Sequence, residues 1–578
     1  MTFLKRIEND IKVMIESIGY ELDDFVLALS NRPELGDYQI NDAMKLASKY
    51  NKNPREIANE ILEILKKDSR LTNLSVAGPG FINLSFSDEF LLDFANSLLN
   101  DVKTNIEKKE ASKIVLDYGG ANVAKILHVG HLRSANIGEA LRRVALLLGD
   151  EVISDVHLGD SGLQSGIVVN EITKRYPDLE CLKEGYTGED FDLAIEADDL
   201  SEIYPSAAKK AKEDESFYEE ASEIALQIQK NNLKYKRIWE KVVALSLPAI
   251  KKTYKTLNAK FDLYKGEQDS FPFVPEVLKH LEKEGLSYES EGAIVVDVAK
   301  ADDKKELPPA ILVKSNGAYL YETTDIATIY DRKKSFNPDE IWYVVDKRQA
   351  LHFDSVFRVV EKAKLAEDTR LEFFGFGTMN GTDGKPFKTR DGGIMSLDEL
   401  ISLVKKETYS KLSNNLEETE KEEISHKVAI AALKYSDLLP HRLTDYIFDI
   451  SKFTELEGKT GPYILYSYIR MNSLLNKAET SKYKNLSKIS KDSDRKILVN
   501  LLQMPRVLNK VYNDKSPNDL AEYIYKLASD FNSFYGEKQI LSEEDEKQKE
   551  AWISLIKILK DTMQILIDTL AIEIPERM

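Results

Sequence analysis

The sequence is poor in cysteine, in long apolar runs and in positive charge, and each shortage excludes a class of protein. A single cysteine, Cys181, among 578 residues excludes an internal disulfide and a thiolate-rich zinc site, because both need several cysteines. No apolar run approaches the length of a membrane span, and charged residues within the first ten positions are not typical of a secretory signal. We therefore expect a cytoplasmic protein that contacts no membrane.

The chain is acidic overall, with 98 acidic against 80 basic residues and a formal net charge of −18. Such a charge disfavours phosphate binding over the whole surface. The balance reverses between residues 426 and 510, where 15 Lys plus Arg stand against 8 Asp plus Glu, a difference of +7. The composition of this segment therefore permits contact with nucleic acid.

Histidine is also scarce, with 7 residues, yet two of them stand three apart in His128-Val129-Gly130-His131. Chance would produce this pattern about 0.004 times in a chain of this composition. An apolar run at 114–118 precedes it, helical periodicity over 132–148 follows it and ends at Gly149, and a second apolar run covers 151–156. This order predicts a βαβ unit of a parallel sheet, in which both imidazoles donate to phosphate at the helix N-terminus and Gly130 admits a base.

Longer stretches around this motif resemble a known family. Residues 121–134 (ANVAKILHVGHLRS) resemble the HIGH signature of class I aminoacyl-tRNA synthetases, in the form found in arginyl-tRNA synthetases. Residues 159–166 (GDSGLQSG) resemble the stretch that follows it, with Ser161 where tryptophan is usual. Residues 384–390 (GKPFKTR) resemble the family's divergent KMSKS loop, and residues 572–578 (IEIPERM) resemble its C-terminus. The resemblance covers nearly the whole chain and implies an arginine–tRNA ligase that forms an arginyl-adenylate from ATP.

The resemblance and the periodicity together predict an α/β protein of three domains. Residues 1–108 are expected to form a small α/β domain, which in this family contacts the tRNA elbow. Residues 109–410 are expected to form a Rossmann-like parallel-sheet catalytic domain with a helical insertion at about 167–261, and residues 411–578 an all-α anticodon-binding bundle. The sequence further predicts helices over 40–50 and 54–66, a strand over 81–86, and strands of the nucleotide-binding sheet over 292–298 and 340–345.

Activation of an amino acid requires an already ionised carboxylate to attack the α-phosphorus of ATP, so catalysis needs positioning and charge neutralisation rather than a general base. The resemblance implies that the two signature loops supply the catalytic residues His128, His131, Lys125, Lys385 and Lys388. It implies ATP contacts by Gly130, His128, His131 and Met379. We expect ATP with Mg²⁺ as cofactors, and no zinc. The single Cys181 also disfavours the cysteinyl relative of this class, which binds its substrate through zinc.

The amino acid pocket follows from the same resemblance. A guanidinium presents donors that carboxylates accept bidentately. The resemblance implies that Glu267, Tyr321 and Asp325 face the guanidinium of arginine and that three further residues hold its α-ammonium end: Asp117, Asn122 and Gln349. Without the resemblance, acidic residues such as these are more often simply solvated.

Contacts with tRNA(Arg) are expected in two places. In the first domain, which in this family contacts the tRNA elbow, we place Tyr38, Gln39 and Asn41 on the RNA, although a partly buried Tyr38 fits the sequence equally well. In the bundle, aromatic and basic residues interleave as on a platform for unpaired bases, although such a stripe is equally typical of a helical core. The contacts expected there are Arg442, Lys459, Tyr463 and Arg470.

We expect a monomer whose partners are arginine, ATP and tRNA(Arg). Two alternatives stay open. A class I synthetase of another amino acid specificity would lack the carboxylate pocket. A non-catalytic RNA-binding paralogue would have lost His128, His131 or Lys125, which this chain retains.

Overall fold

The computed structural model describes residues 1–304, 307–385, 395–413, 416–478, 483, 485–490 and 492–578. Within these ranges the chain forms a small antiparallel domain, a parallel-sheet domain with a large insertion, and a group of C-terminal helices. This arrangement confirms the predicted fold class. None of the helices in the described ranges is long and apolar enough to cross a membrane.

The first domain packs helices against a four-stranded antiparallel sheet of order β1-β2-β4-β3. The strand predicted over 81–86 is confirmed, and the helix predicted over 54–66 ends one residue early. The helix predicted from residue 40 begins only at Ala43, because residues 38–40 pair with β4 as a strand. The elements are α1 (Phe3–Ser17), β1 (Ala28–Leu29), β2 (Tyr38–Ile40), α2 (Ala43–Tyr50), α3 (Pro54–Leu65), β3 (Leu71–Ala77), β4 (Phe81–Phe86) and α4 (Asp88–Asn100).

The predicted βαβ unit is present as β5 (Lys113–Tyr118), α5 (Val129–Leu148) and β6 (Glu151–Asp155). The strands β5 and β6 pair in parallel, and Gly149 ends the helix with a φ of 111°, a conformation that favours glycine. A Cβ on Gly138 of α5 would lie 2.3 Å from the ring of Tyr118, so glycine lets the helix lie close on the sheet.

The chain between β6 and the next parallel strand forms more than the predicted helical insertion. Residues 292–298 do contain a strand, but it belongs to a separate antiparallel sheet of order β7-β8-β9, so its assignment to the nucleotide-binding sheet was wrong. The elements are α6 (Leu163–Arg175), α7 (Leu200–Glu213), α8 (Glu215–Gln229), α9 (Leu233–Thr256), α10 (Val274–Lys283), β7 (Ser287–Ser290), β8 (Ala293–Val296), β9 (Ala310–Val313) and α11 (Tyr321–Phe336).

The parallel sheet is completed by β10 (Glu340–Val344), which lies beside β5, and β11 (Arg370–Phe373), with α12 (Ala350–Lys362) between them. The sheet order is β11-β10-β5-β6. Because all four strands run in parallel, the loops that follow them meet at one edge, which is where such sheets bind ligands. The domain continues through β12 (Met379–Asn380) and α13 (Leu397–Lys411).

The C-terminal part is helical apart from a two-residue strand, β13, which pairs in parallel with β12. The last helix buries an apolar face that includes Trp552, Leu555, Ile556, Leu559 and Met563. The elements are α14 (Glu418–Leu438), β13 (Tyr446–Ile447), α15 (Ile450–Phe453), α16 (Gly461–Lys477), α17 (Asp492–Leu501), α18 (Met504–Asp514), α19 (Asn518–Glu537) and α20 (Glu546–Thr569).

Candidate active site

The two histidines of the HVGH motif form the N-terminal cap of α5. The Nδ1 atom of His128 accepts the backbone N–H of Gly130 at 3.0 Å, and the Nδ1 atom of His131 accepts the backbone N–H of His128 at 3.0 Å. A ring nitrogen that accepts a hydrogen bond carries no proton, so the neutral His128 ring carries its proton on Nε2. The Nδ1 atom of His131 also lies 3.3 Å from the carbonyl of His128, and its ring is hydrogen-bonded to the backbone of Gly120. The His128 ring therefore offers an N–H donor at the helix terminus, which suits phosphate binding, while the buried His131 ring is hydrogen-bonded to the backbone around it.

The protonation state of His128 and His131 determines which side chains at the helix terminus carry positive charge. Burial lowers the pKa of His131 to about 3, and burial followed by the charge of Lys125 also lowers the pKa of His128. Both imidazoles are consequently neutral near pH 7. The two histidines therefore bring no positive charge to the helix terminus, and the predicted positive charges are those of lysines. The candidates are Lys125, half-buried with Nζ 4.9 Å from the centre of the Tyr204 ring, and Lys385, exposed after β12.

The glycine of the motif is needed by the cap itself. A Cβ on Gly130 would lie 2.8 Å from Cε1 and 2.9 Å from Nδ1 of the His128 ring. The residue is exposed, so the approach of a base to its backbone stays a prediction. What sequence reasoning missed is that the His128 ring already requires glycine here.

The second signature loop lies only partly within the described residues. Met379 is buried in β12, and the backbone N–H of Gly381 donates to the carbonyl of Lys385 at 2.7 Å across a tight turn. Lys388 lies outside the described residues. The described part thus brings the Lys385 turn close to the end of β12.

The three residues predicted to face a guanidinium converge at the carboxyl edge of the sheet. Ser161 donates a hydrogen bond to Glu267. Burial raises the pKa of Glu267, and the nearby charge of Asp325 raises it further. Burial, then the charges of Glu267 and Asp325, raises the pKa of Tyr321, which leads α11 and is 55% exposed. The three side chains are therefore close enough to share one electrostatic environment.

A histidine that was not predicted lies against this pocket. His352 donates from Nε2 to Asp325 at 2.5 Å, and its Nδ1 lies 3.6 Å from Glu322. Burial alone would lower the pKa of His352, but the hydrogen bonds to the two carboxylates raise it to about 10. One imidazolium therefore faces the carboxylates of Asp325 and Glu322, while Glu267 accepts from a neutral hydroxyl. The pocket keeps negative charge for a cationic ligand.

The residues predicted for the α-ammonium end are more dispersed. Asp117, at the end of β5, is buried and accepts from Nη2 of Arg332 at 2.7 Å, and Asp155 accepts from the same nitrogen at 2.8 Å. Asn122 packs against Gly159, where an added Cβ would lie 2.4 Å from its Oδ1. Gln349 is exposed in the turn after β10. Sequence reasoning missed Arg332, since no local pattern marks a partner 215 residues from Asp117.

The prediction that Tyr38 contacts RNA is wrong. Its side chain is 0% exposed, donates to the carbonyl of Val499 at 3.4 Å and accepts from the Gln503 amide at 2.7 Å. Tyr38 therefore joins the first domain to the C-terminal helices. Gln39 is half-buried and donates to Asn83, whereas Asn41 is exposed.

The four bundle residues predicted to bind tRNA differ in their surroundings. Arg442 donates to the carbonyl of Gly375 at 2.6 Å and so faces the parallel-sheet domain. Lys459 forms an exposed ion pair with Glu522 at 2.7 Å, and the hydroxyl of half-buried Tyr463 accepts from Asn532. The guanidinium of Arg470 lies between two rings, 5.3 Å from the centre of Tyr466 and 4.6 Å from that of Tyr535.

Comparison with known families agrees with this arrangement. The model described as "tRNA synthetases class I (R), catalytic domain" matches residues 93–450, the "Arginyl tRNA synthetase N terminal domain" matches residues 5–86, and the "DALR anticodon binding domain" matches residues 464–578. The chain belongs to the arginyl-tRNA synthetase family. The resemblance stated from the motifs is thereby confirmed.

Relatives in this family align with nearly the whole length of the chain. The arginine–tRNA ligase of Alkaliphilus oremlandii is 42% identical over 583 residues, with 100% of this chain and 99% of that protein covered. The arginine–tRNA ligase of Agathobacter rectalis is 41% identical, with 99% of each chain covered.

Solved structures with the same fold include arginyl-tRNA synthetases from two distant organisms. The enzyme from Plasmodium falciparum has a TM-score of 0.83 at 24% identity, and the enzyme from Thermus thermophilus has a TM-score of 0.77 at 21% identity. Each comparison covers 100% of both chains. At these identities the likeness speaks for the fold.

Proposed function

We propose that this arginyl-tRNA synthetase activates arginine with ATP and transfers the arginyl group to the 3′ adenosine of tRNA(Arg). The observation that carries the proposal is the convergence of Glu267, Asp325 and Tyr321 at the carboxyl edge of the sheet, the edge at which α5 begins with two neutral imidazoles. Relatives that are 42% and 41% identical and named arginine–tRNA ligase support the amino acid specificity over that of another class I synthetase.

In the first step, a carboxylate oxygen of arginine bonds to the α-phosphorus of ATP while the bond to the bridging oxygen breaks and pyrophosphate takes that electron pair. The Nε2 donor of His128 and the neutral ring of His131 hold phosphate oxygens, and Lys125, Lys385 and Lys388 supply positive charge. Gly130 and Met379 line the ATP site, and Mg²⁺ arrives with the ATP phosphates.

Arginine lies with its guanidinium against Glu267, Tyr321 and Asp325. Glu267 is hydrogen-bonded by the neutral hydroxyl of Ser161, and Asp325 by the imidazolium of His352. The two carboxylates can therefore accept the planar N–H donors of a guanidinium without protonation of either acid. Asn122, Gln349 and Asp117 face the α-ammonium end, with Arg332 setting the orientation of the Asp117 carboxylate.

In the second step, a ribose hydroxyl of the terminal adenosine attacks the carbonyl carbon of the adenylate, and AMP leaves with the electron pair of the mixed anhydride. The tRNA lies along residues 411–578, where Arg470, Lys459 and Tyr463 offer charge and ring surface, and Arg442 orients the junction with the catalytic domain (residues 109–410). Gln39 and Asn41 of residues 1–108 are the contacts for the tRNA elbow. The protein acts as a cytoplasmic monomer.

Exchange of ATP with labelled pyrophosphate, measured for each amino acid with and without tRNA, tests the activity. The expected result is exchange that depends on arginine, with formation of arginyl-tRNA when tRNA(Arg) is present. Exchange with a different amino acid would identify another class I specificity. Binding of tRNA without any exchange would identify a non-catalytic RNA-binding protein.

A further inference from the structure

The helix α5 and the strand that leads to the Lys385 turn carry the proposed phosphate contacts, and both are attached to one short stretch of chain. We call this stretch, residues 437–448, the bridging segment. It begins at the C-terminal end of α14 and ends just after β13. One side of it contacts α5, whose first turn holds the two histidines, and the other side contacts residues 375–380, which lead to the Lys385 turn. Neither contact was predicted from the sequence.

Asp437 makes the contact with α5. Its Oδ2 accepts from the side-chain amide of Asn136 at 2.9 Å, and its Oδ1 lies 3.0 Å from Nε of Arg133. All three side chains are at most 1% exposed. Arg133 and Asn136 lie five and eight residues after His128, so the carboxylate holds α5 within about two turns of its N-terminus.

Tyr446 connects Asp437 to the rest of the bridging segment. Its hydroxyl donates to Oδ1 of Asp437 at 2.9 Å, and its ring centre lies 5.0 Å from the guanidinium carbon of Arg133. Arg133 also donates from Nη1 to the carbonyl of Thr444 at 2.9 Å. Because removal of one member leaves buried polar groups without partners, the cluster fixes the position of α5 relative to β13.

The opposite side of the segment fixes the approach to the lysine turn. β13 pairs in parallel with β12, placing Met379 opposite Tyr446. Asp445 accepts the backbone N–H of Thr378 at 2.7 Å and Nζ of Lys347 at 2.8 Å, and the carbonyl of Arg442 accepts the N–H of Gly377 at 2.9 Å. Tyr446 therefore contacts the cluster on α5 through its hydroxyl and the route to Lys385 through its backbone.

We infer that Asp437 is a positioning residue for adenylate formation. Its contacts fix the position of the HVGH helix terminus relative to the strand that leads to Lys385. The inference rests on the proposed function, because the two elements matter together only if they hold the same ATP. The contacts of Asp437 among the described residues are with Arg133, Asn136 and Tyr446 rather than with the pocket for arginine, and it acts through these three side chains. A small error in such positioning affects the rate more than substrate binding.

The experiment compares two tyrosines that lose the same group. Tyr446→Phe removes the hydroxyl that donates to Asp437, and Tyr435→Phe removes a buried hydroxyl that donates to the Ala521 carbonyl at 2.8 Å. Tyr435 lies on α14 two residues before Asp437 but points into the C-terminal helices. The two variants should lose similar thermal stability, so Tyr435→Phe is the matched control.

We expect Tyr446→Phe to lower kcat of arginine-dependent exchange about 5- to 10-fold and Asp437→Asn about 10- to 100-fold, with KM for arginine and ATP within about twofold of the parent. Tyr435→Phe should keep kcat within about twofold. The double variant Asp437→Asn with Tyr446→Phe should be no slower than Asp437→Asn alone, because both act through one contact.

Equal loss of kcat in the two tyrosine variants would overturn the inference, as would a rise in KM for arginine at unchanged kcat. If Asp437→Asn does not fold, the two tyrosine variants still decide the matter. Parent protein that catalyses no exchange would instead overturn the proposed function, and the role of Asp437 in adenylate formation with it, so the two failures are distinguishable.

Discussion

The carboxylates of the bridging segment and those of the arginine pocket have the same chemistry but different surroundings. Asp437 is buried, accepts from Asn136 and Tyr446, and pairs with Arg133. Glu267 accepts from a serine hydroxyl, and Asp325 from the imidazole of His352. A carboxylate whose acceptor positions are filled by the protein fixes geometry. A pocket with more carboxylates than cationic side chains is suited to bind a cationic ligand. The difference between these two roles of a carboxylate can be tested at each site.

The largest expected effect is the loss of a pocket carboxylate. Asp325→Asn should weaken arginine binding by about 3–5 kcal/mol, because a bound cation loses a counter-charge in a partly buried site. ATP affinity should be unchanged. Equilibrium dialysis with labelled arginine measures the effect. Asp437→Asn is the control, since it should leave the arginine dissociation constant within about twofold while lowering kcat.

An unchanged arginine dissociation constant in Asp325→Asn would remove that residue from the pocket. Weaker arginine binding in Asp437→Asn would remove the distinction between the two carboxylate groups.

A somewhat smaller effect is expected at the helix terminus that the bridging segment supports. His131→Ala should lower kcat of exchange about 100- to 1000-fold, as when one preorganised donor to a developing charge is lost. Because the pKa of His131 is about 3, the ring is neutral near pH 7, and its titration should add no step to the pH–rate profile around neutrality. His131→Gln, which keeps a neutral N–H at similar reach, is the control.

Equal loss in the two His131 variants would show that donation from this ring does not contribute. A step in the parent profile that disappears in His131→Gln would show instead that the ring acts as a charged group.

The success and failure of sequence reasoning follow the range of the contacts involved. The βαβ unit, with the HVGH motif at the N-terminus of its helix, depends on neighbours within a few residues and was predictable from periodicity and motif, whereas the capping of that helix by the histidine rings was not predicted. The strand at 293–296 was assigned to the wrong sheet because strand pairing is not local. The contacts of Asp437 and the burial of Tyr38 were missed for the same reason, since their partners lie 301 and 465 residues away.

The candidate site divides in the same way. The motifs identified the residues proposed to contact ATP and the acidic residues at the sheet edge. They gave no sign of His352 or Arg332, because a helix position that reaches a pocket has no local signature. The prediction for Tyr38 shows the converse, since an aromatic residue in a domain expected to contact RNA was placed at the surface although its side chain is buried.

An intermediate effect is expected on stability at Lys434, three residues before Asp437 on α14. Its side chain is fully buried, and its Nζ has no hydrogen-bond partner among the described residues. Burial lowers the pKa of Lys434 from 10.5 to about 7. The native state therefore resists protonation, and the resulting loss of stability is absent above pH 10.5 and complete below about pH 7. In the interior beside the bridging segment, the carboxylate of Asp437 has hydrogen-bond partners, whereas the Lys434 side chain has none among the described residues.

Lys434→Met should raise the free energy of unfolding by a few kcal/mol at neutral pH, with a gain that shrinks as the pH rises towards the ordinary pKa of lysine. Denaturant unfolding of both proteins at several pH values measures this. Lys427→Met is the control on the same helix, because Lys427 forms an ion pair with Glu423 at 2.7 Å and its loss should cost less than about 1 kcal/mol. A gain that does not vary with pH would show that Lys434 carries the same charge in the folded and unfolded states.

The smallest expected effect separates the pocket carboxylates from each other. Ser161→Ala removes the hydroxyl that donates to Glu267, and the loss of one hydrogen bond to a charged group should weaken arginine binding by about 1–2 kcal/mol. Burial already raises the pKa of Glu267, and without its donor the carboxyl will take up a proton more readily as the pH falls. Arginine affinity of the variant, measured by dialysis over a pH series, should therefore decline more steeply below neutral pH than that of the parent.

A second serine near the pocket provides the control for this change. The buried Ser165 hydroxyl donates to the carbonyl of Gly162 at 2.8 Å rather than to a carboxylate, so Ser165→Ala removes a serine hydrogen bond without altering the charge balance of the pocket. Its arginine affinity should follow that of the parent at each pH. If the two serine variants bind arginine equally well at every pH, Glu267 is held by the fold alone and the Ser161 hydroxyl has no part in recognition.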